Sequence, residues 1–481
     1  MKSSPIPGQG RADALRIVVV GGGIAGLAAA HRLLELSAAR RAPIDLILVE
    51  ASDRLGGTIA TEQIDGYLIE GGPDSFLTEK PWALELCDRL GLTERLIPTQ
   101  GAHRRTFVVH HGRLVPLPDG FVLLAPSRLG PLWRSPLLSW RGKMRATMDL
   151  VLPKRRGEED ESVGAFVTRR FGHEVLDRVV QPLVTGIYTV DPAGVSLRAT
   201  MPRFAEMERR HGSVIRALRR SPGSRGGQDG SGPRWSLFAA PAGGMQELVS
   251  GLAGRLPASS VKLRRRVTSL GRSSGPRTWR VNLADGTTLL ADGVILAVPA
   301  SRSARLVGGL DPDLGRELST IPYHSSAIVT LVYPRTEIRH PLDGFGFVVP
   351  QVEGRSILAC AFSSLKYPGR APDGDVLFRA FLGGERSQGV LDRDDADLAA
   401  LVQQDLGPLL GISSAPTLVR VHRHSASMPE YQVGHPDRVA AIQVRVARHP
   451  GLAVAGNAFG GVGIPDCIRS GEEAAERVLG G

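Results

Sequence analysis

The sequence predicts an α/β protein whose main domain is assembled from both ends of the chain. Near the N-terminus, the apolar run 17–20 is followed by glycines in the spacing GxGxxG and by a predicted helix over 25–36. Near the C-terminus, another apolar strand again ends in a glycine-rich turn that leads into a helix. Between them, residues 305–425 contain several apolar runs of strand length. We therefore expect a second sheet inserted into the first domain.

The N-terminal glycines indicate a nucleotide-binding βαβ unit. Gly21 permits a tight turn, Gly23 lets the backbone approach a pyrophosphate, and Gly26 lets the helix pack on the strand. The helix start offers free amides and the positive end of its dipole to a phosphate. The second predicted strand, 45–49, ends in Glu50, which is placed to accept hydrogen bonds from a ribose diol. A GxGxxG turn alone is weak evidence, but strand, glycines, helix, strand and acid occur here in order.

A second glycine pair follows the acid. The stretch Glu50-Ala-Ser-Asp-Arg54-Leu-Gly56-Gly57-Thr58 has the arrangement ExxxRxGG. In this arrangement the chain resembles the flavin-containing amine oxidase superfamily, which includes monoamine oxidases, phytoene desaturases and porphyrinogen oxidases. The resemblance implies a Rossmann-like FAD-binding domain and FAD as the cofactor, in place of NAD.

The C-terminal motif predicts the closing half of the same site. A strand over 452–455 ends in a glycine-rich turn before a helix near Ile464, so a second helix start can face an anion. The alternative is an unrelated βα turn. In this superfamily the backbone near Val267 also faces the adenine. The resemblance implies the cofactor-binding residues Gly21, Gly23, Ile24, Ala25, Gly26, Glu50, Arg54, Gly56, Gly57, Thr58, Gly72, Val267, Gly456, Asn457, Val462, Gly463 and Ile464.

Two further motifs indicate which branch of the superfamily the chain resembles. GPDSFL followed by Lys80, and GIY at 186–188, are similar to the bacterial branch of the protoporphyrinogen and coproporphyrinogen oxidases. That branch has a lysine near the substrate at the place of Lys80, although a lysine at a helix start is more often simply solvated. The resemblance implies as substrate residues Lys80, Gly186, Ile187, Phe345, Val348, Leu358 and Phe381. Apolar residues in strands usually belong to the core, which is the alternative for most of this set.

The implied reaction is the oxidation of a porphyrinogen to the porphyrin in heme biosynthesis. It takes three two-electron steps, with O2 as acceptor and H2O2 as product, and the flavin carries the redox chemistry without a catalytic side chain. Two departures from the plant and animal enzymes, Thr106 and Asp74 at places where arginines occur, favour the bacterial branch and leave the propionate partners open. Arg104 and Arg105 lie next to Thr106. We expect coproporphyrinogen III, with protoporphyrinogen IX a close second.

The resemblance also divides the chain into domains. It assigns residues 14–73, 239–304 and 426–481 to the FAD-binding domain, residues 74–100, 206–238 and 305–425 to an α+β substrate-binding domain, and residues 101–205 to a helical insertion like the family's membrane-associating domain. Within that insertion, tryptophans interleave with basic residues in the manner of an interfacial segment, and ordinary core packing is the alternative. Residues 217–235 are rich in Gly, Ser and Arg and predict a loop.

Composition excludes several classes of protein. The 481 residues carry a formal charge of +11, but the arginines are scattered among acids and no nucleic-acid motif accompanies them, so we expect no nucleic-acid partner. Coding bias is an equal explanation of the arginine content. Three separated cysteines and the lack of an apolar signal segment predict a cytoplasmic protein. If the protein binds a membrane, we expect it to lie peripherally on the inner face of the cell membrane. His422 and His424 lack a third ligand, so no metal is assigned.

Other functions stay open at the level of sequence. Within enzymes, the alternatives are an amine oxidase or a carotenoid desaturase, and in another class a non-catalytic flavoprotein that binds porphyrin. The expected partners are the porphyrinogen and O2, with a functional link to ferrochelatase. The sequence allows a homodimer without indicating its interface.

Overall fold

The structure is a computed structural model that describes residues 14–101, 105–157, 159–220, 237–274, 278–384 and 389–480. Its strands, in chain order, are β1 Leu15–Val20, β2 Ile44–Val49, β3 Thr61–Ile64, β4 Tyr67–Glu70, β5 Phe76–Leu77, β6 Leu96–Pro98, β7 Thr106–His110, β8 Arg113–Pro116, β9 Phe121–Val122, β10 Ala125–Pro126, β11 Phe238–Pro241, β12 Val261–Lys262, β13 Val267–Arg272, β14 Trp279–Leu283, β15 Thr288–Ala291, β16 Gly293–Leu296, β17 Tyr323–Pro334, β18 Gly346–Val348, β19 Ala359–Phe362, β20 Asp375–Gly383, β21 Leu418–Pro429 and β22 Leu452–Val454.

The helices follow the same numbering. They are α1 Ile24–Arg40, α2 Trp82–Leu90, α3 Leu129–Arg134, α4 Trp140–Thr147, α5 Val163–Phe171, α6 His173–Val175, α7 Gln181–Tyr188, α8 Leu197–Thr200, α9 Pro202–His211, α10 Val214–Arg220, α11 Gln246–Ala253, α12 Ala300–Val307, α13 Pro312–Ser319, α14 Ser363–Lys366, α15 Asp395–Leu410, α16 His435–Val446 and α17 Ile464–Gly480.

A parallel sheet, here sheet A, joins the two ends of the chain. In the described residues its strand order is β12-β2-β1-β16-β22. Helices α1 and α17 cover one face, and the antiparallel strands β13 to β15 cover the other. Because both faces are buried, residues 17–20 of β1 and residues 294–296 of β16 are continuously apolar, as parallel strands in such sheets are. The predicted α/β fold assembled from separated segments is confirmed.

Helix α1 runs four residues beyond the predicted end at 36 and stops at Arg41, whose φ of 52° closes the helix in the left-handed conformation. The helix packs closely on α17, because Gly471 leaves no room for a side chain: a Cβ there would lie 2.1 Å from the carbonyl oxygen of Ala25. This contact ties the C-terminal segment to the start of the N-terminal unit.

A second sheet, here sheet B, has the order β21-β17-β20-β19-β18-β7-β8 in the described residues. The predicted strands of residues 305–425 form most of it. One face packs on α15, with Phe378 in the core, and the opposite face, which carries Arg379 and Phe381, lies towards Gly71 and Gly72. This second face forms one side of the candidate site.

The hairpin of β7 and β8 differs from the sequence-based assignment. The domain division from the sequence places this hairpin at the start of the helical insertion 101–205. In the structure the hairpin belongs to sheet B, because β7 pairs in parallel with β18 and Thr106 lies opposite Gly346. The sequence predicts a local hairpin well. It does not reveal which distant strand edge completes the backbone hydrogen bonds of β7.

Helices α3 to α10 form a helical unit whose hydrophobic core includes Phe166, Phe171 and Phe204. This core continues onto sheet B through Val348 and Ala359. Within the described residues, no helix has both the length and the apolar character needed to cross a membrane. The predicted loop 217–235 begins inside α10, which continues to Arg220, and residues 221–236 lie outside the described part of the chain.

Candidate active site

The first glycine loop is shaped by close backbone packing. A Cβ at Gly26 would lie 1.9 Å from the carbonyl oxygen of Gly21, and one at Gly21, whose φ is 108°, would lie 2.4 Å from the carbonyl oxygen of Ala297. Gly23 differs, because no described atom lies within 4 Å of its Cβ position. Two glycines therefore bring helix and sheet together, while Gly23 leaves its backbone open to a ligand.

The second loop lies against the first. Gly23 and Gly56 form a parallel bridge, and the amide of Gly56 donates to the carbonyl of Gly22 at 2.8 Å. Glu50 accepts hydrogen bonds from the amides of Gly22 and Ser52, each at 2.7 Å. Its carboxylate is thus oriented by backbone donors and retains acceptor capacity for hydroxyl groups.

Arg54 stabilises this loop by hydrogen bonds to its backbone carbonyls. Its guanidinium donates to the carbonyls of Ile59 at 2.8 Å and Gly57 at 2.5 Å. Gly72 brings the next segment close, since a Cβ there would lie 1.9 Å from the carbonyl oxygen of Thr58. Arg54 and Gly72 therefore shape the backbone around Gly57 and Thr58.

The C-terminal turn arrives at the same edge of sheet A, because β22 pairs in parallel with β16, the neighbour of β1. The amide of Gly456 donates to Ser470 Oγ at 3.1 Å, and Asn457 Nδ2 donates to the carbonyl of Ser427 at 2.9 Å. The carboxyl ends of parallel strands are where ligands bind in such sheets. The predicted residues Val462, Gly463 and Ile464 complete the turn and begin α17.

Val267 lies beside the same unit. It begins β13, two residues after Arg265, whose amide donates to the carbonyl of Glu50 at 2.9 Å. The structure therefore brings together the predicted cofactor residues from four distant stretches of the chain.

Lys80 lies at the cofactor side of the site. Its Nζ donates to Asp466 at 2.6 Å, and Asp466 is buried in the first turn of α17, while the Lys80 side chain is 40% exposed. Asp466 also interacts electrostatically with Tyr188, the last residue of α7. Burial, with a smaller effect of the Asp466 carboxylate, raises the pKa of Tyr188 to about 12. Lys80 is therefore an ion-paired residue close to the end of α7.

The predicted substrate residues follow the register of sheet B. Val348 lies opposite Ala359, which lies opposite Phe381, so these side chains form one row. Gly186 packs over the row, and a Cβ there would lie 3.5 Å from Val348 and 3.7 Å from Ala359. The glycine thus faces the sheet. Its predicted place beside the substrate, which the family resemblance implies, stays a prediction.

The remaining predicted residues differ in exposure. Leu358 is buried beside the row, while Phe345 is only partly buried and Ile187 is exposed at the end of α7. Arg105, considered for a propionate, forms an ion pair with Asp343 at 2.9 Å. Arg104 lies outside the described residues.

Sequence reasoning missed a group of buried and partly buried charges beside the same face of sheet B. Lys366 Nζ lies 3.1 Å and Arg379 Nη1 lies 3.2 Å from the carboxylate of Asp74. Burial alone raises the pKa of Asp74, but the two cations outweigh this effect and hold the pKa well below its usual range. A signal was present, because Arg379 interrupts the apolar strand β20 between Phe378 and Phe381.

A crevice of ≈ 430 Å³ separates this face from the glycine loops. His424 Nε2 lies 2.7 Å from the carbonyl oxygen of Gly71, and the ring of His422 packs on the Cα of Gly71. Burial is the main cause that lowers the pKa of both histidines. The residues lining the crevice are Arg54, Gly57, Thr58, Ala60, Gly71, Val421, His422, Arg423, His424, Ser425 and Ser427.

These features fit a dinucleotide cofactor. An open backbone at Gly23, the oriented acid Glu50, a second glycine loop and the start of α17 meet at one edge of a parallel sheet. They define the protein class as a dinucleotide-binding protein of the α/β type.

The chain belongs to the family of flavin containing amine oxidoreductases, whose model matches residues 24–479. The predicted membership in this superfamily and the predicted cofactor, FAD, are confirmed.

Relatives and solved structures extend over nearly the whole chain. It is 35% identical to the coproporphyrinogen III oxidase of Bacillus subtilis (strain 168), over 96% of this chain and 97% of that protein. It is 33% identical to the protoporphyrinogen oxidase of Bos taurus, over 96% and 98%. The crystal structure of a proposed protoporphyrinogen oxidase from Exiguobacterium sp. 255-15 matches with a TM-score of 0.84 and 31% identity, over 96% and 98%.

Proposed function

We propose that this protein is an FAD-dependent oxidase that converts a porphyrinogen to the porphyrin in heme biosynthesis. The carrying observation is similarity along almost the full length of both chains to coproporphyrinogen III oxidases, including 36% identity to that of Propionibacterium freudenreichii over 96% of this chain and 90% of that protein. Coproporphyrinogen III is the preferred substrate in this proposal, and O2 is the acceptor.

The nucleotide side of the crevice holds the cofactor. In the proposal, Gly23 and Gly57 approach the pyrophosphate with their backbones, Glu50 accepts hydrogen bonds from a ribose, and α17 directs its positive end towards negative charge on the cofactor. The flavin, when bound, supplies the two-electron oxidation. The amides of Gly22 and Ser52 orient the Glu50 carboxylate for this contact.

Phe381, at the end of the row that Val348 and Ala359 begin, provides an apolar contact for a flat macrocycle, while Val348 and Ala359 are buried against α7 and support it. Phe381 is only partly buried, so part of its ring remains available for contact. An apolar wall also excludes water from the reacting carbon. The protons lost by the pyrrole nitrogens can pass to solvent, so the proposal requires no strong base.

Lys80 is the cation that we assign to a substrate carboxylate. Its ammonium retains donors beyond the one that binds Asp466, since an ammonium group has three. The four propionates of coproporphyrinogen III have more need of such donors than the two of protoporphyrinogen IX. The preference between these substrates is therefore expected to depend on Lys80.

The test is anaerobic mixing of the purified holoprotein with each porphyrinogen, followed by admission of air. Faster flavin bleaching by coproporphyrinogen III, and three peroxide molecules per porphyrin on reoxidation, are expected. Faster bleaching by protoporphyrinogen IX would reverse the preference. Bleaching by an amine or a carotenoid precursor but by neither porphyrinogen would contradict the proposed function, and no bleaching by any of them would favour a non-catalytic flavoprotein.

A matched pair of variants tests the assignment of Lys80. Lys80→Met is expected to raise KM for coproporphyrinogen III by about tenfold, a loss of about 1.4 kcal/mol, and to affect protoporphyrinogen IX less. Lys154→Met, far from the crevice in the helical unit, serves as the control. Equal effects of Lys80→Met on both substrates would contradict a role in the preference.

Contact with an anionic membrane is a second proposal, carried by an exposed apolar row on the helical unit. The spacing along α4 and the turn after it places side chains on one helical face. Arg141 packs over the ring of Trp140, and in residues 128–156 the sole acid, Asp149, is buried. An apolar face with basic neighbours suits the surface of an anionic bilayer. The exposed side chains are Trp133, Trp140, Met144, Met148 and Val151.

Co-sedimentation with vesicles tests the membrane proposal. Binding to vesicles that contain phosphatidylglycerol is expected, with weaker binding to phosphatidylcholine alone. Trp140→Glu should reduce the binding at least tenfold. Val444→Glu, which changes a side chain of equal exposure on α16 (61% against 63%), should not. Equal loss in both variants, or no binding by the unaltered protein, would contradict the proposal.

A further inference from the structure

A cluster of charged side chains lies behind Gly71 and Gly72, with three of its members buried and two partly buried. The Arg379 cluster consists of Glu70, Asp74, Lys366, Arg370 and Arg379. Asp74 contacts both Lys366 and Arg379, and Glu70 interacts electrostatically with both arginines. Arg370 donates to the carbonyls of Ala242 at 2.8 Å and Pro241 at 3.1 Å. The side chains of both arginines are almost completely removed from solvent.

The charges of the Arg379 cluster do not balance. Three cations face two carboxylates, so one positive charge is in excess when both acids are ionised. Burial raises the pKa of Glu70, and protonation of Glu70 would increase the excess. In the part of the chain that the structure describes, Arg379 Nε has no hydrogen-bond partner. Buried excess charge is unfavourable for folding, and such charge beside a cleft is typical of functional sites.

One hydrogen bond places Arg379 directly behind the wall of the crevice, and a second, from a histidine, binds the next carbonyl of the same backbone. Arg379 Nη2 donates to the carbonyl of Gly72, and His424 Nε2 donates to the carbonyl of Gly71 at 2.7 Å. Gly71 lines the crevice together with Gly57 and Thr58 of the second glycine loop. His422 and His424 face the same wall and are neutral near pH 7, because burial and the charge of Arg379 both lower their pKa. They therefore do not cancel or add to the excess.

We infer that the excess positive charge of the Arg379 cluster raises the reduction potential of the bound flavin. Two-electron reduction adds negative charge to the flavin, and a cation in the low-dielectric interior stabilises that charge more strongly than one in water. A higher potential favours the withdrawal of electrons from the substrate. This inference rests on FAD binding and is independent of which substrate the enzyme oxidises.

The test measures the flavin potential of the holoprotein by anaerobic equilibration with a reference dye, without porphyrinogen. Arg379→Gln is expected to shift the two-electron equilibrium at least tenfold towards oxidised flavin, which corresponds to about 30 mV. Lys366→Met should shift it in the same direction. Asp74→Asn removes a negative charge and should shift it the opposite way. Opposite signs separate an electrostatic effect from general loosening of the site.

Two further variants complete the experiment. Arg379→Lys keeps the charge and should retain a potential close to that of the unaltered protein. Arg316→Gln, at a side chain that is 72% exposed on α13, should cause no shift. If Arg379→Gln does not fold, Lys366→Met and Asp74→Asn carry the test. Shifts of the same sign in both, or no shift in either, would overturn the inference and leave the assignment of a porphyrinogen substrate unaffected.

Discussion

The two sides of the crevice differ in what determines their structure, which is local sequence on one side and strand register on the other. The nucleotide side consists of short motifs in which neighbouring glycines and an acid organise the backbone, so that Gly26 meets Gly21 and Glu50 binds the amide of Gly22. The sheet side consists of single residues from distant strands, and Phe381 and Arg379 acquire their places through the register of β17, β19 and β20. The nucleotide side therefore tolerates little change in its backbone. The sheet side depends on which face of a strand a residue occupies.

The largest expected effect concerns the nucleotide side. Gly26→Ala should abolish FAD binding or folding, because its Cβ would lie 1.9 Å from the carbonyl oxygen of Gly21. Gly23→Ala is the matched variant, since no described atom lies within 4 Å of its Cβ position. It should fold and retain less FAD. Measurements of thermal unfolding and flavin content would distinguish the two, and full FAD retention by Gly23→Ala would contradict the proposed approach of the pyrophosphate.

The next effect tests the two faces of sheet B. Phe378→Ala, on the core face, should cost about 3–5 kcal/mol of unfolding free energy. Phe381→Ala, on the opposite face, should cost less stability because the ring is only partly buried. It should raise KM for the porphyrinogen by about tenfold, as loss of an apolar contact of roughly 1.5 kcal/mol would. Denaturant unfolding and steady-state kinetics provide the readouts. A larger stability loss in Phe381→Ala would show that this ring belongs to the core.

A smaller effect concerns the pH dependence of the sheet side. Burial lowers the pKa of His424 from 6.5, so the unfolded chain binds a proton more readily than the folded protein. Stability should therefore fall as the pH drops below about 6.5. His424→Gln should reduce this decline in melting temperature between pH 7.5 and pH 5, while His173→Gln, at an exposed position, should not. An unchanged decline in His424→Gln would assign the effect to other groups.

The smallest effect is expected at Gly186. Gly186→Ala places a Cβ at ordinary contact distance from Val348 and Ala359, and alanine favours the helix by up to about 1 kcal/mol. Stability should stay constant or rise slightly, with KM unchanged. A clear rise in KM would support the expectation, drawn from the family resemblance, that the macrocycle lies against this glycine.

Local sequence was sufficient where neighbouring residues determine the structure. The strand, glycine loop and helix at the N-terminus, the acid Glu50, the C-terminal turn and most strands of sheet B were predicted, because turn chemistry and apolar periodicity act within a few residues. The family resemblance also led to FAD and to porphyrinogen oxidases.

Only the tertiary structure decided which of these pieces meet. It paired the hairpin of β7 with β18, joined Lys80 to Asp466, turned Gly186 towards the sheet and placed Arg379 and Asp74 behind Gly72. Each of these contacts joins residues far apart in the chain. Strand register and the electrostatics of a buried interior depend on the whole packed chain, so no short stretch of sequence specifies them.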